Sequence, residues 1–189
     1  LGEKELFHEE TVKIPMILVD PSAEADSTRG TCESRFVESI DLIPTFLDVL
    51  GGDIPAHRLE GKSLLGLLRN SLNSEWRDTV YSEADYAWRK ARLELGLAPD
   101  ECRAFMVRTE RWKYIQYQKF PPQLFDLQSD PKELKDLGSD PSLKPIRDDM
   151  ETRLNEWIRK RRLRSTISHE TIDARTGTAK DRGYMFGVW

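Results

Sequence analysis

Cysteine and histidine are scarce in this chain: two of the former and three of the latter among 189 residues. Cys32 and Cys102 lie far apart and match no metal spacing, which argues against a disulfide framework and predicts two buried or idle thiols. Three histidines without paired carboxylate spacing argue against a self-contained metal site. No apolar stretch approaches the roughly 20 residues needed to span a bilayer, so no membrane partner is expected. Neither sign of charge dominates. The 29 Lys and Arg against 33 Asp and Glu leave a net charge of −4, which gives no overall pull toward nucleic acid or an anionic membrane. Internal repeats and low-complexity tracts are absent too.

What the chain does have is charge and a varied texture. Hydrophobic residues make up 38% and charged residues 33%, a globular but wet composition with room for one ordinary domain, or for a piece of a larger one plus a small second unit. Near the front, Ile14-Pro15-Met16-Ile17-Leu18-Val19 predicts a strand at about 15–19 buried on both faces, with Pro15 tolerable at its first residue. Buried central strands seldom stand at the free end of a chain, which leaves open whether this is the start of a protein or the middle of one. Phe36, Ile40, Ile43, Leu47 and Leu50 recur at helical spacing, but Pro44 forbids one continuous helix. Both signals fit a short strand at Arg35–Ile40, then a helix with Asp41 as its N-cap, Pro44 in its first turn and Gly51-Gly52 at its end. A short helix follows at Ser63–Leu68.

After Trp76 the pattern changes. Strands are predicted at Thr79–Ser82, Ala104–Arg108, Trp112–Tyr117 and Gln123–Leu127, the middle two joined by a tight turn at 109–111. A helix over Trp88–Leu95 stops at Gly96 and Pro99. Ile146, Met150, Leu154, Trp157 and Ile158 mark one face of a long amphipathic helix within 142–164. The remainder is polar, and its aromatic end, Tyr184 to Trp189, is expected to dock on the body or on a neighbouring subunit. The predicted class is α/β. Residues 1–75 are a strand-helix portion lacking most of the sheet it would need, 76–164 a small antiparallel sheet subdomain with a long packed helix, and 165–189 an extended tail.

Several segments resemble one family in its own order. Lys4, His8, Glu9 and Lys13-Ile14-Pro15 are similar to the last active-site segment of the sulfatases and phosphonate monoester hydrolases of the alkaline phosphatase superfamily. Ser39-Ile40-Asp41-Leu42-Ile43-Pro44-Thr45-Phe46-Leu47-Asp48 and Glu60-Gly61-Lys62-Ser63-Leu64-Leu65 continue the likeness. Arg111-Trp112-Lys113-Tyr114-Ile115, and Leu124-Phe125-Asp126-Leu127 with Asp130-Pro131-Lys132-Glu133, resemble its C-terminal signature. The likeness covers about residues 1–140, and LGEK followed by LFHE leans toward the phosphonate monoester hydrolase branch.

The resemblance implies the C-terminal part of a hydrolase of small-molecule sulfate esters or phosphate and phosphonate esters. The nucleophile (formylglycine, Ser or Thr) and the ligands of one divalent metal ion (Ca, Mn, Mg or Zn) would lie upstream of this chain, leaving this chain inactive by itself. Thr31-Cys32-Glu33-Ser34-Arg35 lacks the Pro of the family's modification site, and its Cys-to-Arg distance is one residue short. Lys4 is the implied catalytic residue, a cation for the negative charge that sulfuryl and phosphoryl transfer spread over peripheral oxygens. His8, four residues on, is either a leaving-group contact or a polar residue satisfied near the sheet's end. His57 and His169 receive no role. Glu83, Asp85 and Tyr86 either border the pocket or belong to a solvated loop.

Two rival readings come from other classes. One is a non-catalytic interaction or oligomerisation module. The other is a nucleic-acid binder using Arg159–Arg164, but that run sits where cations offset a helix dipole and lacks interleaved aromatics. No nucleic-acid partner is therefore expected. A homo-oligomer is expected, assembled through the C-terminal tail, in a cytoplasmic location.

Overall fold

Alternation of apolar and polar residues on either side of the 109–111 turn gives the hairpin at the centre of the fold. In this computed structural model, which describes residues 7–72, 75–87, 89–161 and 168–182, the Thr109 N–H donates to the Trp112 carbonyl at 2.8 Å. The Trp112 N–H returns a bond to the Thr109 hydroxyl at 3.0 Å. The helices described are α1 (Glu9–Val12), α2 (Leu42–Val49), α3 (Leu65–Leu68), α4 (Lys90–Glu94), α5 (Lys144–Lys160) and α6 (His169–Thr176). The strands are β1 (Val80–Asp85), β2 (Arg103–Arg108), β3 (Trp112–Tyr117) and β4 (Gln123–Asp126). None of these helices is long and apolar enough to cross a membrane. The chain divides into two units, one of Leu1–Ile17 with Trp76–Arg159, the other of Leu18–Glu75 with Lys160–Trp189.

In the first unit the strands form an antiparallel meander in the order β1-β2-β3-β4. Period-two alternation sends Val107, Tyr114 and Leu124 to one face, where Met150 and Leu154 of α5 close over them. Each such side chain contributes on the order of 1.5–3 kcal/mol by leaving water. Trp157 on the same helix stacks on Tyr81 of β1 with ring centroids 5.0 Å apart. Ala104, Met106, Ile115 and Phe125 face the other way and are covered by Phe7 and Val12, so the segment around α1 lies on that face. The four-stranded sheet and the long helix across it agree with the sequence pattern.

In the second unit, Pro44 sits in the first turn of α2 as expected. The end of α2 is a Schellman motif: Gly52 N–H donates to the Leu47 carbonyl at 2.8 Å and Gly51 N–H to the Asp48 carbonyl at 3.0 Å, with Gly51 at φ 69°. The predicted strand over 35–40 does not form. Asp41, fully buried, accepts the Glu38 N–H and the Lys62 N–H, each at 2.8 Å, and bends Ser39–Asp41 into a 3-10 turn. Nor does the run at 15–19 form a strand. None of the described strands runs beside it to satisfy its backbone groups, and Ile17 and Val19 stand 90% and 76% exposed. The predicted extended tail is instead helical at α6, because the Ser168 hydroxyl accepts the Thr171 N–H at 3.2 Å as an N-cap. Its aromatic end lies outside the described residues.

Candidate functional site

The hairpin register places Arg108 directly opposite Lys113, and the next strand places Phe125 on the other side of Lys113. Two like charges facing each other on an apolar sheet face are destabilising unless carboxylates are brought to them. Lys113 has no exposed side-chain surface, and an ammonium so buried needs both counter-charge and acceptors for its three protons. It has them. Nζ lies 2.6 Å from Glu133 Oε1, 2.7 Å from Glu9 Oε1 and 2.6 Å from the Phe7 carbonyl. Arg108 completes the cluster with a two-pronged contact to Glu9, Nε to Oε1 at 2.9 Å and Nη2 to Oε2 at 3.2 Å.

Glu133 is the second carboxylate of the cluster, and its side chain is fully buried. Its Oε2 accepts the Glu9 N–H at 2.7 Å and lies 3.6 Å from His8 Nδ1. It is delivered by the turn after β4, where Asp130 accepts the Lys135 N–H at 2.7 Å. The Glu133 backbone has φ 54°, a left-handed conformation that a glutamate adopts only at a cost of about 1–3 kcal/mol. Burial pushes the Glu9 carboxyl up, but hydrogen bonds from Lys113 and Arg108 outweigh burial and hold it below the ordinary value. Two cations and two carboxylates therefore balance in charge, and Glu133 Oε1, 2.6 Å from Lys113 Nζ, is met by the ammonium's charge rather than by a well-directed hydrogen bond. The cluster holds residues 7–9 on the sheet.

His8 lies within that segment. Its ring is 43% exposed, borders the cluster and lies 6.2 Å from the Phe125 ring in a tilted arrangement. Lys4 lies outside the described residues. Glu83 on β1 pairs with Arg103 at 3.5 Å, and Asp85 accepts the Ala87 N–H at 2.8 Å. Both are engaged locally and are not brought to the cluster. His57 sits in a turn at 56–58. Cys32 is an exposed free thiol and Cys102 a buried one. Among the described residues no group of three or more His, Cys, Asp and Glu side chains could hold a metal ion. The cluster carboxylates are already committed to Lys113 and Arg108, so the described residues do not fit a resident metal.

Sequence pattern alone assigns no role to Glu9, Arg108, Lys113 or Glu133. One signal was available: Lys113 shares the period-two face of Ile115 in the predicted strand over Trp112–Tyr117. In the second unit the two family-like segments prove to be one piece of architecture. Thr45 donates its hydroxyl to the Asp41 carbonyl at 2.6 Å and accepts the Leu64 N–H at 2.9 Å. Gly61 packs so closely that a Cβ there would meet the Ile40 carbonyl oxygen at 2.1 Å.

The family model described as N-sulphoglucosamine sulphohydrolase, C-terminal, matches residues 2–160. A multifunctional alkaline phosphatase superfamily protein, PehA, of Trinickia caryophylli is 31% identical over 154 residues, covering 80% of this chain and 29% of that protein. Arylsulfatase K of Canis lupus familiaris is 33% identical over 131 residues, covering 68% of this chain and 23% of that protein. The crystal structure of a phosphonate monoester hydrolase of Agrobacterium radiobacter superimposes with a TM-score of 0.63 at 30% identity, covering 69% of this chain and 26% of that one. The chain thus spans less than a third of the length of the curated relatives it matches.

Proposed function

Because the chain belongs to the N-sulphoglucosamine sulphohydrolase C-terminal family, we propose that it is the C-terminal portion of a metal-dependent hydrolase of sulfate, phosphate or phosphonate esters. The match over residues 2–160 carries this reading, since it runs through the Lys4–Glu9 segment and both signature segments around Lys113 and Glu133. Relatives named as an arylsulfatase and a phosphonate monoester hydrolase support an ester of a small molecule as substrate. They favour an enzyme over a non-catalytic interaction module. In this reading the nucleophile and the ligands of a divalent metal come from residues outside this chain.

Within this chain Lys4 has the leading role. As the ester bond to sulfur or phosphorus breaks, negative charge spreads over the peripheral oxygens. A cation placed there stabilises the transition state more than the ground state. His8 would contact the leaving group from the same segment. The test is Lys4→Ala in the full-length parent enzyme, assayed with an aryl sulfate, an aryl phosphate and a phosphonate monoester. Turnover of whichever ester is the substrate should fall at least about tenfold, equivalent to about 1.4 kcal/mol in the barrier, with the fold intact by circular dichroism. Unchanged kinetics would overturn the assignment.

A further inference from the structure

Two of the three Nζ contacts of Lys113, one bond of Glu133 and two of Arg108 converge on residues 7–9. The peptide before His8 is held through its carbonyl, at Phe7, by the Lys113 ammonium at 2.6 Å. The peptide after His8 is held through its N–H, at Glu9, by the Glu133 carboxylate at 2.7 Å. The Glu9 side chain is then held by Lys113 and Arg108 together. With both flanking peptides fixed, the direction of the His8 Cα–Cβ bond is fixed too.

Stability alone does not call for such a device. The surrounding face is apolar, with Ala104, Met106, Ile115 and Phe125 about it. A buried ion pair is commonly no more stabilising than well-packed aliphatic side chains of the same volume. What the ions add is direction. The left-handed backbone at Glu133 points the same way, since strain of this kind persists where a side chain has to be aimed. Lys4 is three residues before Phe7 in the sequence, and three residues reach at most about 11 Å.

We propose that Lys113 and Glu133 are positioning residues that clamp the two peptides flanking His8 and so set where His8 and Lys4 meet the substrate. This rests on the reading of the parent protein as an ester hydrolase with Lys4 in its pocket. The clamp acts through Lys4 and His8 and touches no substrate itself. A displacement of about 1 Å in such a group is enough to cost on the order of a hundredfold in rate.

The experiment is a double-mutant cycle in the full-length enzyme with Lys4→Ala and Glu133→Gln, measuring kcat, KM and Tm. Gln keeps the volume but has one acceptor oxygen where the carboxylate has two, so it cannot receive both the Glu9 N–H and the Lys113 ammonium, and the clamp loosens without opening a cavity. Leu154→Ala, on the opposite face of the sheet, serves as a control that lowers Tm without touching the clamp. Glu133→Gln should lower kcat at least about tenfold with KM within about threefold, and add less than about twofold in the Lys4→Ala background. Leu154→Ala should leave kcat within about twofold of the parent enzyme. The clamp is overturned by full kcat in Glu133→Gln, by an equal loss with and without Lys4, or by a loss that Leu154→Ala matches at equal Tm. A silent Lys4→Ala withdraws the catalytic reading and the clamp with it. A silent Glu133→Gln in an enzyme that Lys4→Ala impairs removes the clamp alone.

Discussion

At the scale of the residue, Glu9 is where position and protonation meet. One carboxylate receives Lys113 and Arg108, and its pKa lies below the ordinary value of 4.5 even though burial opposes the shift. In the unfolded chain the same group takes up a proton at higher pH than it does in the fold. Its contribution is therefore complete above about pH 4.5 and is lost as pH falls through the folded-state value. Glu9→Gln should cost about 1.5–3 kcal/mol at pH 7, the range for hydrogen bonds to charged groups. It should also flatten the acid side of the stability curve. Thermal unfolding of parent and variant at pH 7, 5, 4 and 3 checks both points. Other carboxylates with lowered pKa, such as Asp126 held by Arg111, give both proteins a common slope, so the difference between the curves is what counts. Parallel curves would show that the Glu9 carboxylate does not set the acid lability.

At the scale of the element, the link between α2 and the segment before α3 depends on contact at one glycine. Gly61 faces the Ile40 carbonyl, and backbone there cannot swing aside as a flexible side chain would. Gly61→Ala should push the two segments apart, strain the Asp41 bond to the Lys62 N–H and the Thr45 bond to the Leu64 N–H, and cost about 1–3 kcal/mol. Urea unfolding of the parent enzyme and the variant measures it, and equal midpoints would show that the contact is slack. Legibility from sequence follows the same local logic. β2, β3 and α5 were readable because period two and period 3.6 are written in neighbouring residues. The ends of α2 were readable because Pro44 and Gly51 each act on their own turn. The 35–40 segment misleads because the residue that bends it, Asp41, answers to Lys62, 21 positions away. α6 rests on one serine cap and one buried isoleucine, Ile172, too little to set a period. The ion cluster was hidden for a similar reason. Its carboxylates come from positions 124 residues apart, and nothing near either one announces the other.

At the scale of the whole molecule, each unit leaves apolar surface open. In the second unit Ile43, Phe46 and Leu50, spaced along one side of α2 and its cap, are 54%, 55% and 82% exposed. In the first, Ile14 and Ile17 are 59% and 90% exposed. Exposed apolar side chains grouped in this way mark a contact face, and backbone left outside the sheet is open to self-association. The curated relatives are more than three times as long as the part this chain matches, and in the proposed reading the rest of the parent supplies the cover. We therefore expect the 189-residue chain, expressed without the rest of the parent, to bind hydrophobic dye and to self-associate without a fixed stoichiometry. Ile17→Lys with Phe46→Glu should reduce both, and should leave the unfolding temperature of the sheet unchanged because neither side chain enters its core. In hydrogen exchange, the amides of Met106, Val107, Tyr114 and Ile115 should be slow, since they lie in the interior β2–β3 pairing, while Met16–Val19 exchange fast. Adding the remainder of the parent in the same molecule should protect 16–19. A closed dimer with those amides protected would assign the faces to a second copy. A dye-free monomer with Met16–Val19 strongly protected would mean that the faces need no cover at all.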